Sequence, residues 1–242
     1  MLFKLLVAAA LFGVAVAGSA TCDAVTFTKC QHVFDAAINV HNTSDWTNPG
    51  ALAISIQNVY IAGTYKEKHG LVAVCNAYNL MLNCLNNAGI QVETCFDTLF
   101  MLKNDKKIEQ AYPFAMLMKM LDFQCGAGFY PAMDNWDCIK SVYKNKNATL
   151  ENTIYQFLLN TANNPMESCT YTKQGLLSYQ KAFSMCSNPA VSYYGCESFR
   201  QFVSVQYSEC GDSCQVDFWA YHNKKNSTKH ALEEEKVAVK LA

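Results

Sequence analysis

Glycine and proline are scarce in this chain, 11 and 5 residues of 242, and few runs alternate apolar and polar residues over strand length. A β-rich fold is therefore not expected, because strands show a period of two with turn residues between them. Beyond the first 20 residues no run approaches the roughly 20 apolar residues that a bilayer span needs, so no stable membrane anchor is expected. Basic clusters are missing too. The chain sets 19 Lys and Arg against 20 Asp and Glu, with no block of one sign except Glu233-Glu234-Glu235. Nucleic acid is excluded as a partner on that ground, since its recognition needs a clustered positive face.

Catalytic and metal motifs are equally wanting. The five histidines, His32, His41, His69, His222 and His230, are scattered, and none forms the paired-histidine helix turn, with a glutamate between, that holds catalytic zinc. Gly211-Asp212-Ser213 resembles a short serine-hydrolase signature. A nucleophilic serine, however, needs a base within reach and a strand-turn-helix setting, whereas Gly, Asp and Ser are ordinary turn formers. Asp134 and Asp137 stand one helical turn apart, and a solvated face accounts for them without acid/base chemistry. No cofactor and no metal is implied.

What the chain has is twelve cysteines: Cys22, Cys30, Cys75, Cys84, Cys95, Cys125, Cys138, Cys169, Cys186, Cys196, Cys210 and Cys214. All follow a basic start at Lys4, an apolar stretch from Leu5 to Val16, and two small-residue sites, which together read as a secretory signal over 1–20, cleaved after Ala17 or Ala20. An even number of cysteines in an oxidising compartment predicts up to six disulfides, no free thiol, and a disulfide-flanked turn rather than a metal half-site at Cys210 to Cys214. Removing Lys4 leaves 18 basic against 20 acidic residues, a charge of 18 − 20 = −2. Three sequons, at Asn42, Asn147 and Asn226, fit a secreted glycoprotein.

The prevailing apolar period is helical. Val33, Phe34, Ala37 and Ile38 make one stripe, Leu52, Ile56, Val59 and Tyr60 another, and Val74, Tyr78, Met81, Leu82 and Leu85 a third over Leu71 to Asn87, with Gly89 placed as its C-terminal cap. Further helices are expected near 94–102, 107–123, 130–143, 149–161, 171–185 and 196–207, the second of these with Pro113 in its first turn and a start as late as Tyr112. Within the helix at 71–87, Cys75 and Cys84 lie about 13 Å apart and so bond to other partners, not to each other. The fold class is all-α: a disulfide-stapled multi-helix globular domain over 21–222, with a subdivision near 163–165 at Asn163-Asn164-Pro165, and a polar tail over 223–242. The run from Ala77-Tyr78 through Cys84 to Cys95 is echoed by Ser178-Tyr179, Cys186 and Cys196, which raises two related helical halves.

The cysteine signature also resembles a known family. Cys22 and Cys30, then Cys75-Asn76-Ala77-Tyr78, Cys84-Leu85 and Cys95-Phe96, then Gln124-Cys125-Gly126-Ala127-Gly128-Phe129 leading through Asn135 to Cys138-Ile139, are similar to a nematode family of secreted cysteine-rich domains of unknown function. The resemblance implies a secreted, disulfide-bonded, mainly helical domain and brings no catalytic residue with it.

Three functions remain, in order of preference: an extracellular binding or defence-related interaction protein, an extracellular carrier of a small apolar ligand, and a secreted hydrolase without a recognisable motif. Partners would be an extracellular protein, a glycan or the apolar ligand itself. For the first reading the contact residues are placed in two loops, around Trp46 in 45–49 and around Tyr193 and Tyr194 in 190–195, because loops carry function and large aromatics anchor interfaces. For the second, the methionine-rich run from Tyr112 to Phe123 supplies either plain core or a pliable apolar wall.

Overall fold

The computed structural model describes residues 20–40, 45–62, 64–65, 68–211 and 213–215. Within them the chain forms helices α1 (Ala24–Ile38), α2 (Pro49–Ala62), α3 (Gly70–Asn87), α4 (Val92–Cys95), α5 (Thr98–Lys103), α6 (Ile108–Cys125), α7 (Phe129–Met133), α8 (Trp136–Asn145), α9 (Asn147–Asn163), α10 (Ser168–Phe183) and α11 (Pro189–Ser204). Extended structure is confined to a two-residue antiparallel pair, Thr64–Tyr65 with Lys68–His69, and one bridge between Ala20 and Ile90. The all-α expectation holds.

Local sequence explains most boundaries. Asp23 caps α1 by accepting from the Thr26 amide at 2.9 Å, and Asn188 caps α11 through the Ala190 amide at 3.0 Å, with Pro189 in the first-turn position that suits it. Gly89, at φ +74°, ends α3 as expected. Pro113 departs from expectation. It sits inside α6, whose start at Ile108 is secured by Gln110: its Oε1 accepts from the Lys107 amide at 3.2 Å and its Nε2 donates to the Thr47 carbonyl at 2.7 Å. The span expected as one helix over 94–102 is two short ones, because Asp97 caps a new start by accepting from the Leu99 amide at 2.9 Å.

All twelve cysteines pair, with Cα atoms 5.0 to 5.8 Å apart. The bonds are Cys22–Cys95, Cys30–Cys84, Cys75–Cys125, Cys138–Cys186, Cys169–Cys210 and Cys196–Cys214. As the helical geometry of α3 required, Cys75 and Cys84 reach different helices, α6 and α1. Cys210 and Cys214 likewise tie a turn to α10 and α11, as the disulfide reading of that segment expected.

The covalent division of the chain differs from the one read in the sequence. Three bonds close within 22–125 and three within 138–214, and none joins the two sets. The break at 163–165 divides nothing: the Cys138–Cys186 bond spans it, and α9 and α10 pack on each other across it. The true seam is the Gly126-Ala127-Gly128 turn between α6 and α7. There a Cβ on Gly128 would strike the Phe123 ring and carbonyl, and the Gly128 amide donates to that carbonyl at 2.8 Å. Asn135, the other motif residue, bonds the Pro131 carbonyl at 2.9 Å and accepts from Asn188 at 2.8 Å. Gly128 and Asn135 thus help to build the junction. The two halves are not simple repeats, because Cys95 bonds backward to Cys22 whereas its counterpart Cys196 bonds forward to Cys214.

One continuous core nonetheless runs through both halves, chiefly where α6 packs on α11 and α2 packs on α6 and α8. Apolar burial of this kind is worth about 25 cal/mol per Å² and is what holds the halves together where no bond does. Among the described residues no helix is long and apolar enough to cross a membrane.

Candidate functional site

Of the two segments read from sequence as contact loops, one has its tryptophan in the core and the other is part of a helix. Trp46 is only 4% exposed, stacked on Phe100 at 5.7 Å and edge-on to Phe27 at 5.2 Å, with Lys106 Nζ 5.0 Å from its ring centre. Asp45 folds the segment by accepting from both the amide and the hydroxyl of Thr47, at 2.8 and 2.6 Å, and the ring turns inward because its apolar area is worth more there than in water. Tyr193 and Tyr194 lie on α11, not in a loop. Tyr194 is 1% exposed and packs on Phe183 at 5.7 Å, while Tyr193 is 37% exposed beside a shallow cleft lined by Phe123, Pro131 and Ala190. The signal that places them was present in the sequence, since Asn188-Pro189 is a helix start.

Of the sequon residues, Asn42 and Asn226 lie outside the described residues, as do the signal over 1–19, the tail over 223–242 and His222. Asn147 is half-buried at the start of α9, its side-chain oxygen accepting from Gln57 of α2. Among the described residues no cluster of three or more His, Cys, Asp and Glu could hold a metal ion. Asp134 ends α7 and Asp137 opens α8, and neither meets a second carboxylate in a buried site.

The seam between the halves contains the arrangement best suited to chemistry of recognition. A cavity of about 380 Å³ opens between α2 and α6 of the first half and α8, α9 and α10 of the second. Ala53, Leu117, Met120, Ile154 and Leu158 make an apolar wall, and Ile54 (53% exposed) and Tyr155 (60% exposed) stand at the mouth. Large apolar side chains left in water at the rim of a concave apolar site are a recurrent mark of binding. The methionine-rich run therefore serves both readings given to it: Met116 and Met118 are sealed in the core, whereas Met120 lines the cavity.

Four polar residues complete the lining from the inner side. The Tyr60 hydroxyl donates to Gln124 Oε1 at 3.1 Å, and Gln124 Nε2 donates to the Tyr143 hydroxyl at 3.3 Å and to Ser198 Oγ at 3.2 Å. The Tyr194 hydroxyl approaches that of Tyr143 without a well-directed hydrogen bond. Tyr179 is 5% exposed; its hydroxyl has no hydrogen-bond partner among the described residues and, unlike that of Tyr194, is not sealed from solvent. Burial raises the pKa of every one of these phenols, Tyr143 to about 12, so all are neutral hydrogen-bonding groups at physiological pH. Among the described residues Glu151 is the only charged one in the lining.

A second, wider cleft of about 1000 Å³ between α3, α4 and α6 is edged by Glu93, Lys119 and Asp122 and by Ala20, the first described residue. The narrower cavity is the better ligand site, being more apolar and lying wholly among packed helices of both halves. Sequence reasoning named only its methionine wall. Tyr60, Gln124, Tyr143 and Tyr179 come from four different helices, and their convergence depends on helix pairing that no spacing in the sequence reveals. Compared with family models, with curated proteins and with solved structures, the chain matches none.

Proposed function

We propose that this protein is an extracellular carrier or receptor domain for a small apolar ligand held at the seam between its halves. The observation that carries the reading is the cavity of about 380 Å³, apolar on its outer wall and open between Ile54 and Tyr155. Its volume falls at the lower end of ligand sites, about 300–1,000 Å³, and suits one small molecule. Six disulfides, the secretory signal and the sequons support the extracellular setting, since bonds of this kind persist where thiols are not kept reduced. The packed core that joins the halves keeps the cavity walls in place before binding, which lowers the ordering cost of association.

Surface recognition of a protein or glycan was the first reading of the sequence. It loses Trp46 and Tyr194 to the core and keeps Tyr193, together with Tyr130 beyond the same cleft. The carrier reading is tested by extracting purified secreted protein with organic solvent and identifying co-purified lipid by mass spectrometry, alongside titration with the neutral fluorophore N-phenyl-1-naphthylamine. Saturable binding that is lost in Ala53→Trp, where an indole fills the cavity from a half-buried position, is the expected result. Absence of saturable binding, or binding unaffected by that substitution, overturns it.

A further inference from the structure

Resting on the carrier reading, we infer that the cavity selects an uncharged amphiphile with a single hydrogen-bonding head, such as a long-chain alcohol or a comparable neutral lipid, and discriminates against fatty acids. The argument begins with what the lining lacks. Among the described residues seventeen face the cavity and none is basic. A carboxylate taken inside would have to shed its water against neutral partners only, which is costly without an opposite charge. Held instead at the mouth, it would meet the carboxylate of Glu151 on the exposed start of α9. Either orientation penalises an anion.

Tyr179 supplies the positive half of the inference. Its ring is buried, and its hydroxyl, which has no hydrogen-bond partner among the described residues and is not sealed from the cavity, is free to bond a ligand in place of water. Among the inner polar groups it differs from Tyr60, whose bond to Gln124 is complete. A ligand hydroxyl or carbonyl reaching the inner wall gives Tyr179 that partner, while the chain of the ligand runs outward past Met120, Ile154 and Leu158 toward Ile54. Tyr143, which accepts from Gln124, has its own proton left to offer the same head.

The test uses the full-length disulfide-bonded protein at pH 8 and measures displacement of N-phenyl-1-naphthylamine by 1-dodecanol and by dodecanoate, each below its aggregation concentration. Dodecanol is expected to compete at a concentration at least tenfold lower. Tyr179→Phe should weaken dodecanol about fivefold to tenfold, the worth of one hydrogen bond, while the unfolding midpoint stays about the same because no described residue bonds that hydroxyl. Glu151→Gln, on an exposed helix start where folding is not at risk, should strengthen dodecanoate and narrow the gap. Equal or tighter binding of dodecanoate, or a Tyr179→Phe variant that binds dodecanol as the parent does, overturns the inference while the carrier reading stands on the bound probe. Failure of the probe itself to bind overturns both.

Discussion

Between Cys22 and Cys125 the buried rings are mainly phenylalanine: Phe27 meets Phe96, Phe100 and Phe114 edge-on, with Trp46 closing the group. Between Cys138 and Cys214 tyrosine is mixed into the core, Tyr179 lying against Phe199 at 4.9 Å and Tyr143 against Phe183 at 5.6 Å. The difference bears on function. A core of hydrocarbon rings needs only to exclude water, whereas each buried hydroxyl must find a partner or bear the cost of having none. The hydroxyls that gather at the seam are those closest to the cavity, and each half brings two of the inner polar groups, Tyr60 and Gln124 from the first and Tyr143 and Tyr179 from the second.

The covalent frame is where the largest effect is expected. Loop-closure entropy makes a bond worth more when it spans more chain, about 4 kcal/mol for Cys22–Cys95 with its separation of 73 residues and about 3 kcal/mol for Cys196–Cys214 with 18. Paired Cys→Ala replacement of each bridge, followed by denaturant unfolding, should show the first half losing more. Equal losses would mean that local strain or residual unfolded structure outweighs loop length, and the comparison of the halves would have to be made on packing alone.

Close packing gives the next effect. In the second half α10 and α11 approach through a reciprocal exchange: Phe199 of α11 lies on Gly175 of α10, and Phe183 of α10 lies on Gly195 of α11. A Cβ at either glycine would collide with a ring that is fully buried and has no room to retreat. Gly175→Ala and Gly195→Ala should each cost about 1–3 kcal/mol by overpacking, despite the better helix propensity of alanine. Differential scanning calorimetry checks this, and a raised melting temperature in either variant would show that the two helices have slack between them.

These glycines also show what the sequence could and could not reveal. The helical period exposed α3 and α9 almost to their ends, because amphipathic spacing is a local property. Nothing in the local sequence marks Gly175, inside the helix expected over 171–185, or Gly195, at the edge of the one expected over 196–207, as special. Only the pairing of α10 with α11 shows that each is a socket for a ring, and only the pairing of α2, α6, α8 and α10 makes a cavity lining from Tyr60, Gln124, Tyr143 and Tyr179. Pairing is long-range information that periodicity does not hold. Two misreadings were local, by contrast, and avoidable: the cap at Asn188-Pro189 places Tyr193 and Tyr194 on a helix, and Asp97 marks a second helix start within 94–102.

Buried carboxylates separate the halves as well. Glu197 in the second half accepts from Arg200 Nε and Gln201 Nε2, both at 2.7 Å. Asp35 in the first half accepts from Gln31 at 3.0 Å, but its second oxygen has no hydrogen bond among the described residues, and the His32 imidazole stands 3.6 Å away on the exposed side of α1. Desolvation by burial raises the Asp35 pKa from 3.8 to about 6. The folded state therefore binds this proton more tightly than the unfolded chain, so the associated stability is fully present below about pH 4 and is lost as pH rises through about 6. A decline on the order of 1–2 kcal/mol is expected over that window. Asp35→Asn should flatten it and raise stability at pH 7, as read from urea unfolding at several pH values; an unchanged profile in the variant would assign the pH dependence to another group.

The smallest effect separates two helix caps that look alike in sequence. Asp23 and Asn188 each accept one amide of the first turn, from Thr26 and Ala190, and loss of such a bond costs about 1 kcal/mol. Asn188 does one thing more. Its Nδ2 donates to Asn135 Oδ1 at 2.8 Å, linking the start of α11 to the start of α8, and Asn135 in turn holds the Pro131 carbonyl in α7, the helix that follows the seam turn. Asn188→Ala should therefore exceed Asp23→Ala by about 0.5–1 kcal/mol, the net value of one half-buried neutral hydrogen bond. A double-mutant cycle of Asn188→Ala with Asn135→Ala measures that coupling directly. A coupling of zero would reduce Asn188 to a cap equivalent to Asp23, and would leave the junction of the halves held by apolar packing and the glycine turn without this link.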